Sequence, residues 1–223
     1  SLHDLEEAKD KVLMGSPRKS LVISDLEKKI TAYHEAGHTI VGFNLDQVDP
    51  IHKVTIIPRG MALGVTQTLP LEDRLNMTRE KAKNYIAFLM GGRCAEEIIY
   101  GQMTSGASND IERATSLARN MVCKWGMSEK MGPINYNKSG MSPFSGMGEN
   151  TDYSEKTAQE IDEEINRIVE KNYKQAFCWY QKSADQGNPY AQNSLGKCYY
   201  YGQGVDRDYK QAVQWFQKSA DQG

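Results

Sequence analysis

The sequence predicts a mainly α protein: a helical domain carrying one short β element, followed by a small segment of α-α repeats. Three observations carry that class. Apolar residues recur at helical spacing between cap and breaker signals over most of the chain. One pair of β-branched runs flanks the turn signal Pro58-Arg59-Gly60, the mark of a single hairpin. Finally, YKQAFCWYQKSADQG at 173–187 returns as YKQAVQWFQKSADQG at 209–223, an internal repeat of period 36 with 12 of 15 positions identical.

Each element has a local reason. Ser24 and Glu27 stand at capping-box spacing and open a helix from about Asp25 to Leu45, which the Asp49-Pro50 pair brings to an end. The strands are read as Lys53 to Ile57 and Leu63 to Leu69, the second bounded by Pro70. A helix from about Thr78 passes through Gly91-Gly92 and stops at Gly101, and another runs from near Ser108 to Gly126. Met127 to Asn150 is rich in Gly, Met, Ser and Pro without periodicity and reads as a long mobile loop. A polar helix from about Ser154 then enters the first repeat unbroken. The seam is therefore helical, near Lys171 to Tyr173, and divides the chain into 1–172 and 173–223. In the repeat, Pro189 opens a helix, Ala191, Leu195 and Tyr199 follow at i, i+4, i+8, and Gly202 and Gly204 close it. Seven tyrosines and two tryptophans from Tyr173 onward are read as packing between these helices.

Composition narrows the function classes. Twenty-nine acidic against 27 basic residues leave a net charge of −2 and no electrostatic footprint for nucleic acid. The longest apolar run, Tyr85 to Met90, falls far short of a membrane span, there is no signal-peptide pattern, and the chain as given is expected to be soluble. Its opening on Ser1 and its stop inside a repeat suit a fragment. The four cysteines lack C-x-x-C spacing and are expected as free thiols.

The chemistry concentrates in His34-Glu35-Ala36-Gly37-His38, which holds two of the four histidines of the chain. Four residues on a helix give about 6 Å of rise and about 40° of rotation, so both imidazoles point one way, as a metal requires. Glu35 lies about 100° round the helix, suited to touch a water on the metal rather than to ligate. Together they point to metal-assisted amide hydrolysis, with zinc polarising a carbonyl and Glu35 as general base. Gly37 costs about 1 kcal/mol in a helix interior and implies the close approach of another segment. A catalytic zinc takes three protein ligands. His3, in a frayed terminal turn, and His52, at a strand edge, are weak third donors; Asp110 and Glu96 are the stronger pair, and position leaves the choice between them open.

The runs TAYHEAGHTIVGF, DPIHKVTIIPRGMALGVTQTLP, GGRCAEEIIYG and TSGASNDIERATSLARNMVCKWGMS resemble, in order, the peptidase domain of the FtsH family of membrane-anchored, ATP-dependent zinc proteases. The resemblance spans about Asp4 to Tyr173. It implies a helical zinc-metallopeptidase domain, His34, His38 and Asp110 as zinc ligands with Glu96 the runner-up, Glu35 as catalytic base, and unfolded or damaged polypeptides as substrates. Gly64, Val65 and Thr66 would bind an extended substrate by strand addition. It further implies an ATPase module, a homo-hexamer, and a peptidase domain tethered to a membrane and facing the bacterial cytoplasm or an organelle interior. The chain has no G-x-x-x-x-G-K-[ST] loop and so is not expected to bind ATP by that route; the hexamer, which encloses the proteolytic chamber in the family, rests on the resemblance alone. After Tyr173 the chain instead resembles Sel-one-like repeats, relatives of tetratricopeptide repeats that bind proteins; the residues are Ala191, Leu195-Gly196, Tyr199, Gly202-Gln203-Gly204-Val205, Trp179 and Trp215. The competing reading is a non-catalytic interaction module in which the repeats bind a protein partner and the peptidase region is a scaffold.

Overall fold

A computed structural model describes residues 2–18, 20–60, 62–72, 76–136, 153–187, 189–202 and 205–222. The element order is α1 (Leu2–Met14), α2 (Asp25–Asn44), β1 (Ile51–Thr55), β2 (Val65–Thr68), α3 (Arg79–Tyr100), α4 (Ser108–Cys123, entered through a 3-10 turn at Ser105–Ala107), α5 (Glu155–Asp185), α6 (Pro189–Tyr201) and α7 (Tyr209–Ala220). The protein is thus mainly helical with one two-stranded antiparallel sheet, and two helices of the α-α repeat close the described chain. Among the described residues no helix is long and apolar enough to cross a membrane.

Local signals set most boundaries. Ser24 accepts the Glu27 N–H at 3.2 Å and starts α2. Thr78 accepts the Lys81 N–H at 3.1 Å and starts α3, which runs straight through Gly91-Gly92 and ends at Gly101 with φ 61°. Asp208 caps α7 by accepting the N–H groups of Lys210 and Gln211.

Four of these readings differ from the structure, each through a contact between segments. The first strand ends at Thr55, because the Ile57 N–H is taken by Thr55 Oγ1 and the Pro58 carbonyl accepts the Arg18 N–H at 2.8 Å. The second strand begins at Val65, opposite Thr55. The N-terminal turn that was expected to fray is helix α1, fastened through buried Asp10, which accepts from Lys53 Nζ at 2.6 Å. In the expected loop from Met127, the first ten residues are anchored at points: Ser128 and Met131 are buried and the Tyr136 N–H donates to the Cys123 carbonyl at 2.8 Å. The remainder of that loop from 137 onward, Gln203 and Gly204, and the side chains of His3 and Ala191 lie outside the described residues.

α2 and α3 cross at the centre of the molecule. Gly37 meets Gly91 there, and a Cβ built on Gly37 would strike the Gly91 carbonyl, the Tyr180 hydroxyl and, at 2.8 Å, the Ala95 Cβ. This is the close approach that the helical glycine implied. α5 lies across α3 and α4 and passes residue 172 without a break. Its Tyr173 donates to Glu97 and its Tyr180 to the Gly91 carbonyl at 3.3 Å. Phe177, Leu195 and Cys198 join Val41, Ile86, Leu89 and Met121 in one apolar cluster, so repeat and peptidase segments share a core. Gly37→Ala should lower stability by about 1–3 kcal/mol through overpacking; urea unfolding that leaves the midpoint in place would contradict this crossing.

Candidate metal centre

The crossing sets three backbones around one point. α2 presents His34 and His38 one turn apart, over the face of α3 where Gly92 leaves room for them. A Cβ at Gly92 would lie 2.5 Å from His34 Nε2 and 2.6 Å from His38 Nε2. The first turn of α4 brings Asp110 across 76 residues of sequence to the same point. His34 Nε2 and His38 Nε2 are 3.1 Å apart, and Asp110 Oδ2 is 3.2 Å from the first and 3.3 Å from the second. A tetrahedral zinc with bonds of about 2.0–2.1 Å has ligand-to-ligand edges of about 3.3–3.4 Å, close to these three separations.

The opposite ring nitrogens say what the converging atoms carry. His38 Nδ1 faces the Phe88 carbonyl at 2.9 Å, and a carbonyl only accepts, so the N–H is on Nδ1. His34 Nδ1 faces Glu96 Oε1 at 2.7 Å and likewise donates to that carboxylate. In the neutral tautomers this fixes, both Nε2 lone pairs and the Asp110 carboxylate point at one another. Three electron pairs crowded within hydrogen-bond distance require a cation between them, a proton or a metal ion. The donor set fits zinc: two imidazoles and a carboxylate, with an outer carboxylate orienting one ring.

Titration follows the same logic. Burial opposes a charge on His34, but hydrogen bonds to Asp110 and Glu96 outweigh it and push the imidazole up to about 9. Burial likewise opposes ionisation of Asp110, yet its bonds to His34 and His38 hold it well below the usual carboxylate range. Glu96 is lowered too: against its burial stand His34 and the Thr104 N–H, which reaches Oε2 at 2.9 Å.

Glu35 is buried beside this cluster on α2, its Oε2 accepting from Thr66 Oγ1 at 2.6 Å. A cleft of about 620 Å³ opens at the cluster, lined also by Leu63, Gly64, Val65 and Thr66 of the hairpin and by Ser108, Asn109 and Arg113 of α4. His34, Glu35, His38, Asp110, Gly64, Val65 and Thr66 are thus gathered at one cleft. Glu96 reaches His34 from the far side of the ring, away from the converging lone pairs. His52 is elsewhere, beside Lys9 at 2.9 Å and Glu6 at 3.9 Å. Sequence reasoning overlooked the Phe88 carbonyl, the Thr104 N–H and Gly92. The one available signal was the Gly91-Gly92 pair, since two glycines in a helix interior cost about 2 kcal/mol and call for a neighbour that needs the space.

Because His34 holds its proton below a pH of about 9 without metal, zinc entering at pH 7 should displace about one proton, and the release should fade as pH rises through that value. Calorimetry in two buffers of different ionisation enthalpy reads the number directly; none released at pH 7 would contradict this charge state.

Comparison with known proteins agrees with the geometry. The family model described as Peptidase family M41 matches residues 21–197, and that of the Sel1 repeat matches 189–223. The chain is 58% identical over 175 residues to the ATP-dependent zinc metalloprotease FtsH 1 of Bdellovibrio bacteriovorus, covering 77% of this chain and 27% of that protein. It is 54% identical over 177 residues to the ATP-dependent zinc metalloprotease FtsH of Magnetococcus marinus (78% and 26%), and 49% identical over 187 to that of Rickettsia bellii (83% and 29%). The chain spans about a quarter of the length of the curated relatives it matches. With a two-histidine, one-carboxylate centre on crossed helices and a family match across most of its length, the chain belongs to peptidase family M41.

Proposed function

We propose that this chain is the zinc-dependent endopeptidase part of an FtsH-type protease. The observation that carries the reading is the convergence of His34 Nε2, His38 Nε2 and Asp110 Oδ2 with a buried carboxylate, Glu35, next to them at the cleft. In it, His34, His38 and Asp110 hold the metal, and Glu96 orients His34 through Nδ1. Zinc bound there would supply the Lewis acidity that polarises the scissile carbonyl and acidifies a water. Glu35 takes the proton of the attacking water and delivers it to the departing amine nitrogen. The Phe88 carbonyl and Glu96 each take an Nδ1–H, which turns both Nε2 atoms to the metal side.

β2 pairs with β1 on one side, and among the described residues no strand pairs with its other edge. That edge, at Gly64, Val65 and Thr66, takes an extended polypeptide by strand addition, a mode that reads backbone and tolerates varied side chains. Unfolded polypeptides are therefore the substrates. The relatives are named as ATP-dependent, and an ATPase module in the full-length protein would unfold and feed the substrate, in a hexamer held at a membrane. We place the junction between the peptidase and repeat regions at 172/173, and read the repeats as a surface for a protein partner.

A panel of variants tests the assignments. Glu35→Gln should keep zinc and abolish cleavage of an unfolded protein; hydrolysis retained would refute the general base. Asp110→Asn should weaken zinc binding by more than the roughly 10–100-fold expected of Glu96→Gln, and the reverse order would make Glu96 the ligand. Neighbouring strand residues point their N–H groups to opposite edges, so one of Val65→Pro and Thr66→Pro removes a donor from the open edge of β2. One of the two should raise KM severalfold in a chain that still binds zinc, and unchanged KM in both would sink strand addition.

A further inference from the structure

The hairpin does more than border the cleft. Residues two apart on an extended segment share a face, so 64 and 66 both look toward α2 when either does. Thr66 looks there: its Oγ1 lies 2.6 Å from Glu35 Oε2 and 3.2 Å from the Glu35 carbonyl. A hydroxyl has one proton to give, and the carbonyl already accepts from Thr39 Oγ1 at 2.8 Å. The Thr66 proton therefore goes to the carboxylate, at a length typical of a charge-assisted O–H···O bond. Gly64 acts on the other oxygen by having no side chain. A Cβ there would lie 2.6 Å from Glu35 Oε1 and 2.8 Å from its Cγ.

Among the described residues no lysine or arginine forms an ion pair with the Glu35 carboxylate. Among the described residues Thr66 is the one side chain that donates to it. Left alone, the terminal torsion of a glutamate is broad and close to two-fold, so neither oxygen would hold a fixed direction. We infer that Thr66 is the positioning residue of the Glu35 base: its hydroxyl pins Oε2, and the bare backbone of Gly64 gives Oε1 the space to face the cleft. The side chain of Thr66 thus serves the base, while its backbone edge remains for the substrate. The inference rests on the endopeptidase reading above, in which Glu35 moves the proton.

The test uses the full chain loaded with zinc and a fluorescently labelled, chemically unfolded protein as substrate. Thr66→Val keeps the β-branched shape, the strand backbone and the core volume while removing the hydroxyl. It should lower kcat roughly 10- to 100-fold, in line with misplacement of a catalytic group, with KM within about twofold and zinc content the same as in the parent chain. Thr66→Ser, which keeps the hydroxyl, should recover most of kcat. Full turnover in the valine variant, a rise in KM alone, or no recovery with serine would each overturn the positioning role. A second measurement needs no turnover: in urea unfolding, Thr66→Val should lower the midpoint in the parent chain and leave it nearly in place in a Glu35→Ala background. Equal losses in both backgrounds would overturn the contact itself. If the parent chain and Glu35→Gln cleave equally, the endopeptidase reading fails instead, and the unfolding cycle still decides whether Thr66 holds Glu35.

Discussion

Glycine at 37 and at 91 lets the backbones of α2 and α3 touch, and the geometry of the cleft follows from that contact. Any side chain at either position would part the helices. His34 and His38 would then leave the bare surface at Gly92, His38 would lose the Phe88 carbonyl, and His34 would lose Glu96. A displacement of a few tenths of an ångström matters here, because three ligand atoms must stand at tetrahedral edges together. The crossing is itself clamped from behind by Tyr180 of α5, whose hydroxyl donates to the Gly91 carbonyl. The first repeat copy is in this sense a structural part of the metal centre, and the core it shares with α3 leaves no apolar gap between the regions.

The second constraint is electrostatic. Two imidazoles, their tautomers fixed by acceptors on the outer side, and a carboxylate all aim electron density at one spot. The site relieves this with a proton when no metal is bound, which is why His34 is raised and Asp110 lowered despite burial acting against both. The same field that holds a proton there favours a divalent cation, and Glu96 supplies a further negative charge one ring away. Glu35 is kept apart from this set by the helix: it points round α2 toward the hairpin, where Thr66 meets it. His34 and Glu35 are thus separated by about 100° of helical rotation, which the H-E-x-x-H spacing encodes.

What was legible in the sequence was what local chemistry decides. Capping oxygens at Ser24 and Thr78 and the left-handed glycine at 101 act within a few residues, so α2 and α3 were readable almost to the residue. The strand ends were not, because Arg18, some forty residues upstream, competes for the Pro58 carbonyl. Helix α1 was hidden for a similar reason: its anchor is a buried Asp10 paired with Lys53 of another element. At the site, His34, Glu35 and His38 declare themselves by spacing alone. Asp110 and Glu96 could not be separated by position, since their difference lies in which nitrogen of His34 each one faces. Thr66 was read as a strand residue at the substrate edge, and its bond to Glu35 depends on how the hairpin lies over α2. Local signals placed the elements; the roles of the carboxylates and the threonine needed their contacts.

The central claim, that crossed helices and a distant aspartate build a zinc centre in this chain, is tested most directly by elemental analysis of the purified protein beside His38→Ala. The account predicts about one zinc per chain, absent from the variant while both remain helical. A folded chain without zinc, or zinc retained after loss of His38, would contradict it.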